Sequence, residues 1–66
     1  MNKQPYRYRV CDVHELVLDD VELTVEVTEG DTVRVGNGRL MVVFAVVPAE
    51  DNPRYAGVLM VEPTSG

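Results

Sequence analysis

The chain has 66 residues, a net charge of −5, 45% hydrophobic residues and one cysteine. This length allows one domain at most, with flexible tails expected at 1–5 and 63–66, and a chain of this size buries only about 60% of its unfolded surface. A single cysteine excludes an internal disulfide, and the hydrophobic content argues against disorder. The polar start MNKQPYRYR lacks the apolar segment of a signal peptide, so we expect a cytoplasmic protein with a reduced thiol.

Two stretches alternate between apolar and polar residues as strands do. In 6–11, Tyr6, Tyr8 and Val10 share one side. In 21–27, the four apolar residues face in and Glu22, Thr24 and Glu26 face water. The sequence therefore predicts strands over 6–11 and 21–27.

The stretch between these strands has two readings. Asp12 and Glu15 have the spacing of a capping box, which favours one short helix at 12–18. Leu16 and Leu18 also alternate as in a strand that turns at Asp19-Asp20. We favour the strand, because no helical pattern continues past Leu18.

Two turns define a predicted three-stranded meander, 21–27/32–36/39–47, with 32–36 in the middle. A three-residue loop ending at Gly30, in the left-handed conformation, would join the first pair. A two-residue turn at Asn37-Gly38 would join the second pair and set Val33 opposite Val42. Both turns bring apolar faces together, and this agreement supports the meander.

The longest apolar run, Leu40–Val47, and the stretch 55–61 are apolar on both faces, and Gly57 marks a bulge or a corner. Only one face of each strand can point into a small core. We predict that the other face lines a homo-oligomer or partner interface. That predicted interface consists of Met41, Val43, Ala45, Val47, Val58 and Met60.

Five or six short strands predict an all-β fold, a small antiparallel barrel or rolled sheet. The run Gly30-Asp31-Thr32-Val33-Arg34-Val35 resembles the start of SH3-like and KOW-type barrels. The stretch from Leu16 to Gly36 is similar to the carbon storage regulator family of RNA-binding β-dimers, from which this chain departs in being acidic. Because these likenesses cover small parts of the chain, we assign no family.

Charge is unevenly distributed along the sequence. Residues 1–11 contain Lys3, Arg7 and Arg9, whereas 12–31 contain eight acidic residues and no lysine or arginine. This pattern predicts an acidic face that docks on a basic protein surface. The residues of that predicted face are Glu15, Asp19, Asp20, Glu22 and Glu26.

Nucleic-acid binding is the weaker alternative. Arg7 and Arg9 are interleaved with Tyr6 and Tyr8, as in surfaces that combine stacking with phosphate contacts. Strict alternation, however, puts the arginines and tyrosines on opposite faces, and the acidic stretch repels phosphate.

The sequence shows no catalytic constellation of nucleophile, base and pocket. Cys11 and His14 have the spacing of half a zinc site, but a structural zinc ion needs four ligands. We therefore expect a non-enzymatic protein with no cofactor and no metal, which acts as a small adaptor or inhibitor and forms homo-oligomers. Its size suggests a phage or mobile element as the source. The alternatives are an SH3-like or RNA-binding oligomeric β-module that uses Arg7, Arg9, Arg34 and Arg39, and a structural subunit of a larger assembly.

Overall fold

A computed structural model describes residues 5–36 and 38–64. These residues form five strands and no helix, in one sheet that curls into a half-barrel. The predicted all-β rolled sheet of short strands is confirmed. The strands are β1 (Tyr6–Cys11), β2 (Val17–Leu23), β3 (Thr32–Val35), β4 (Arg39–Val47) and β5 (Gly57–Pro63).

The strand order differs from the predicted meander. The order in the sheet is β2-β1-β5-β4-β3, with β1 and β5 parallel and the other neighbours antiparallel. β2 pairs with β1, and β3 lies at an edge and pairs only with β4. The predicted pairing of 21–27 with 32–36 is therefore wrong, and only 21–23 of that stretch belongs to a strand.

After the chain leaves β2 at Leu23, a buried side chain supplies a hydrogen-bond partner for its backbone. The N–H of Val27 donates to the Tyr8 hydroxyl, 3.2 Å away, and both residues are buried. Gly30 has a φ of +93°, as predicted, but its N–H donates to the Val43 carbonyl of β4 at 2.8 Å. The turn that contains Gly30 therefore extends the β3–β4 edge and closes no β2–β3 hairpin.

The β3–β4 hairpin has a register one residue away from the predicted one. Val33 lies opposite Met41, not Val42, and Val35 lies opposite Arg39. The Gly38 N–H donates to the Val35 carbonyl at 3.1 Å, so three residues, 36–38, separate the paired ends. Asn37, on which the predicted two-residue turn depended, is outside the described residues. Since a one-residue slip reverses every side chain, Met41 enters the core in place of Val42.

A single apolar core fills the inner, concave face of the sheet. Such burial contributes about 1.5–3 kcal/mol for each fully buried aliphatic or aromatic side chain. Met41 and Val43 are only 3% and 0% exposed, so their predicted place in an external interface is wrong. The core residues are Tyr8, Val10, Val27, Val33, Val35, Met41, Val43, Leu59 and Val61.

A β-bulge divides β4 into two parts. Val43 pairs with Val61, but the next pair in β5 is Met60 with Ala45, which leaves Phe44 as the extra residue. The bulge reverses the alternation, so that odd-numbered residues of β4 point inward before it and outward after it. Ala45 and Val47 therefore lie on the outer, convex face, separated from Met41 and Val43, with which the sequence analysis grouped them.

Gly57 begins β5 at a close approach, not at a bulge. A Cβ atom at this position would lie 3.1 Å from the Val47 carbonyl oxygen and 3.5 Å from the Tyr8 ring. The contact with the Tyr8 ring would be an ordinary one, but the Val47 carbonyl would have to move by a few tenths of an ångström, so a larger residue would crowd this point.

Three further predictions need correction. Residues 12–16 form a turn and no helix, whereas the favoured strand is present from Val17; β2 does not turn at Asp19-Asp20 but continues through them, with a register shift at Leu18. Of the predicted tails, residues 1–4, 65 and 66 are outside the described residues, whereas Pro63 lies in β5 opposite Met41.

No helix in the described part of the chain is long and apolar enough to span a membrane.

The two edges of the sheet meet at one end of the half-barrel. The Gly36 N–H, at the end of β3, donates to the Asp19 carboxylate of β2 at 2.8 Å. The loop between β1 and β2 and the turn between β3 and β4 therefore lie together at this end, which we call the open end.

Candidate interaction surfaces

The outer face of β4 and β5 carries a strip of apolar side chains. Ala45 pairs with Met60 and Val47 with Val58, and cross-strand partners share a face. Val47 is 42% exposed and the other three residues are half-buried. We call Ala45, Val47, Val58 and Met60 the outer strip. Four of the six residues predicted for an interface thus lie together on one surface.

Carboxylates lie at both ends of the outer strip. Glu62 follows Met60 on the same side of β5, by the alternation of the strand. Glu50 and Asp51 belong to the β4–β5 loop and line a small cavity that also touches Val58. These three carboxylates are exposed and form no ion pair within residues 5–36 and 38–64. The strip is therefore an apolar surface with carboxylates at its ends, and Arg9 and Arg54 are the positive residues at the loop end.

The arginines of β1, in contrast, are paired with carboxylates of β2. Arg7 lies opposite Glu22 and forms a salt bridge with it. The hydrogen bond that Arg7 donates to Glu22 raises the pKa of the Arg7 guanidinium, since it favours the charged form. Glu22 therefore offsets the positive charge of Arg7, which a nucleic-acid-binding surface would need for contact with phosphate.

Arg9 belongs to a small cluster with Tyr55 and Asp20. Its Nη2 donates to the Tyr55 hydroxyl at 3.2 Å, its Cζ lies 4.8 Å from the Tyr55 ring centroid, and the hydroxyl donates to Asp20 at 2.6 Å. The hydrogen bond with Tyr55 is the main cause that raises the pKa of Arg9. The cluster attaches the β4–β5 loop to the outer faces of β1 and β2, and so positions that loop beside the outer strip.

The predicted acidic face does not form one surface. Asp20 and Glu22 point outward beside the β1 arginines, whereas Asp19 lies opposite the buried Val10 and bonds to Gly36. Glu15 is exposed in the β1–β2 loop, and Glu26 lies in the irregular segment after β2. Alternation along β2 separates neighbouring acids onto opposite faces, and this is why a run in sequence is not a face in space.

The open end carries apolar residues that the sequence reasoning did not assign to a surface. Val13, Leu16 and Val17 are all more than half exposed, with Leu16 at 62%. We call these three residues the apolar tip. The sequence signal for the apolar tip is the run of apolar residues beside Glu15. Leu16 and Leu18 also fit one face of a strand, so the sequence alone does not predict an exposed apolar surface here.

The loop that holds the apolar tip is closed by its own hydrogen bonds. The Asp12 carboxylate accepts from the backbone N–H groups of His14 and Leu16 at 2.8 and 3.0 Å. The Asp12 N–H donates to the Leu16 carbonyl at 3.0 Å, and Glu15 adopts a φ of +64°, uncommon for a residue with a side chain. Asp12 thus caps a tight turn, where the sequence suggested a helix cap, and the tip is held in one position.

Beside the tip lies a cleft between the two sheet edges. Its volume is about 170 Å³, and its floor contains the buried side chains of Val35 and Met41. We call it the cleft; its lining residues are Leu18, Val35, Gly36, Arg39 and Met41.

The Cys11 and His14 pair does not extend to a metal site. Cys11 is buried, and burial raises the pKa of its thiol, whereas His14 is exposed in the loop. Among the described residues, no three His, Cys, Asp or Glu side chains come together as metal ligands.

Comparison of the chain with protein-family models, with curated proteins and with solved structures gave no match.

Proposed function

We propose that this chain is a non-enzymatic protein-interaction module, an adaptor or inhibitor, that binds a basic protein surface through the outer strip. The observation that supports it is an apolar strip on a sheet face that no second layer covers within the described chain. Exposed apolar patches with polar borders are typical of interaction sites.

The charges around the strip favour a basic partner. Glu62 lies at one end and Glu50 with Asp51 at the other, while the neighbouring Arg7 and Arg9 are occupied by carboxylates of β2. A partner with an apolar centre and lysines or arginines at its rim would complement this arrangement.

The RNA-binding alternative has less support. Arg7 and Arg9 are engaged with Glu22, Asp20 and Tyr55, and release of counterions from nucleic acid needs several available cations in one place. The remaining candidates, Arg34 and Arg39, lie at the open end and away from the outer strip.

A pull-down of the tagged chain from source cells, after nuclease treatment, tests the proposal. We expect a stoichiometric protein partner that Val47→Asp removes, because a carboxylate in the strip would be buried in the apolar centre of the interface and loses apolar contact. Val25→Asp is the matched control, since Val25 is 66% exposed and lies outside the sheet. Binding should weaken as salt rises.

Three results would contradict the proposal. Equal partner recovery with Val47→Asp and Val25→Asp would place the binding surface elsewhere. Loss of every partner after nuclease treatment would favour the RNA-binding module, and large assemblies insensitive to salt would favour a structural subunit.

A further inference from the structure

The open end of the half-barrel presents a protrusion and a recess side by side. Leu16, in the apolar tip, projects into solvent. The cleft next to it has an apolar floor of Val35 and Met41 and a volume of about 170 Å³. A cavity of about 150 Å³ holds a benzene ring, so the cleft is large enough for a branched aliphatic side chain.

The two features differ in charge. Asp12 and Glu15 lie on the loop of the tip, with no positive residue in the sequence between Arg9 and Arg34. Arg39 lines the cleft, and Arg34 lies in the adjoining β3–β4 hairpin, where it donates to the Gly38 carbonyl at 3.0 Å. Neither arginine forms an ion pair within residues 5–36 and 38–64. The open end is thus negative on the side of the tip, whereas the side of the cleft carries Arg39 together with the Asp19 carboxylate that accepts from Gly36.

We propose that two copies of this chain associate through their open ends, with Leu16 of each copy seated in the cleft of the other. A two-fold axis between tip and cleft brings each tip onto the opposite cleft, as in an isologous dimer. The same operation brings Glu15 of one copy toward Arg39 of the other, twice in the dimer. The open end therefore carries both the protruding and the receiving part of the interface, and both residues of the ion pair.

Pairing of two sheet edges is a poorer route to a dimer. β2 carries Asp19, Asp20 and Glu22, and two such strands side by side would set carboxylates against carboxylates. Charged residues on edge strands are a known protection against such pairing. β3 is only four residues long. Association through the open end avoids both edges and leaves the outer strip accessible.

Sedimentation velocity of the full chain, from micromolar to millimolar concentration, tests the proposal. We expect a species of twice the 7.4 kDa chain mass. Leu16→Asn should raise the dissociation constant by about tenfold or more, because it removes the apolar side chain from the cleft. Val25→Asn, at an equally exposed valine outside the tip, should leave it unchanged.

Charge reversal gives a second and sharper test. Glu15→Arg and Arg39→Glu should each weaken the dimer several-fold, and the double variant should recover most of the loss. Both residues are exposed. The positive φ at position 15 is no more unfavourable for arginine than for glutamate, so Glu15→Arg adds no backbone strain. Circular dichroism checks that each variant is folded, and Leu16→Ala is the milder substitute where asparagine disturbs the loop.

A chain that is monomeric at every concentration would overturn the proposal. So would a dimer that Leu16→Asn and Leu16→Ala leave intact, or a double variant no tighter than the single ones. A dimer lost in Val47→Asn but kept in Leu16→Asn would assign self-association to the outer strip instead.

Discussion

At the scale of single residues, Tyr8 connects the core to the segment that follows β2. Its ring is buried and stacks on Tyr6 with the centroids 6.4 Å apart, and its hydroxyl accepts from the Val27 N–H. Without that acceptor, a buried backbone donor would be left unpaired. One hydroxyl therefore helps to fix Val27 against the core, in a segment that adds no strand to β3.

Tyr8→Phe is expected to lower the free energy of unfolding by about 1–3 kcal/mol, the cost of an unsatisfied buried N–H group. Tyr6→Phe is the matched control, because Tyr6 is only half-buried and its hydroxyl has no hydrogen bond among the described residues. Urea denaturation of both variants measures the difference. Equal losses would mean that the Tyr8 hydroxyl does not hold the segment.

Cys11 gives a dependence of stability on pH. Burial raises its pKa, so the unfolded chain loses the thiol proton at lower pH than the folded chain does. The contribution of the thiol is therefore complete below its ordinary pKa and declines as pH rises through the raised value. The stability advantage of the natural chain over Cys11→Ala should shrink on the alkaline side of the ordinary thiol pKa, measured by urea denaturation. An advantage that stays constant with pH would contradict this.

At the scale of elements, the periodicity of apolar residues predicted where strands occur better than it predicted which strands pair. The alternation in 6–11 and the apolar run 39–47 gave β1 and β4 with their observed bounds. Alternation says which residues share a face, but it does not say which strand lies alongside. The pairing of β2 with β1 and the parallel contact of β1 with β5 depend on tertiary packing, which a local pattern does not contain.

The second source of error was strand register, which determines which residues of β4 belong to the outer strip. A three-residue connection in place of a two-residue turn moved Met41 inward, and the bulge at Phe44 then returned Ala45 and Val47 to the outer face. Neither feature has a clear sequence signal, because Gly36-Asn37-Gly38 is compatible with both loop lengths and a bulge residue is an ordinary phenylalanine.

The β3–β4 register is directly measurable in solution. Interstrand NMR cross-peaks are expected between the backbones of Val33 and Met41 and between those of Val35 and Arg39. The two-residue turn would instead give cross-peaks from Val33 to Val42 and from Val35 to Leu40. Observation of the second set would return Met41 to the surface and invalidate the core described above.

At the scale of the whole molecule, charge and apolar surface are divided between two places. The outer strip has carboxylates at both ends, and the open end carries acidic residues on the loop of the apolar tip and Arg39 in the cleft. The sequence predicted an acidic face from a run of acids, but pairing with Arg7 and Arg9 removes Asp20 and Glu22 from it. Of the predicted apolar interface, Met41 and Val43 are buried, and Ala45, Val47, Val58 and Met60 lie on the outer face, because strands that are apolar on both faces leave one face outside any small core.

Site-specific photo-crosslinking in source cells tests most directly the central claim, that the outer strip meets a protein partner. The photoreactive amino acid p-benzoylphenylalanine replaces Val47 in one variant and Val25 in the control. We predict a single crosslinked protein from position 47 and none from position 25, with crosslinking reduced by high salt. Equal crosslinking from both positions, or none from position 47 while the partner is still recovered by pull-down, would contradict the account.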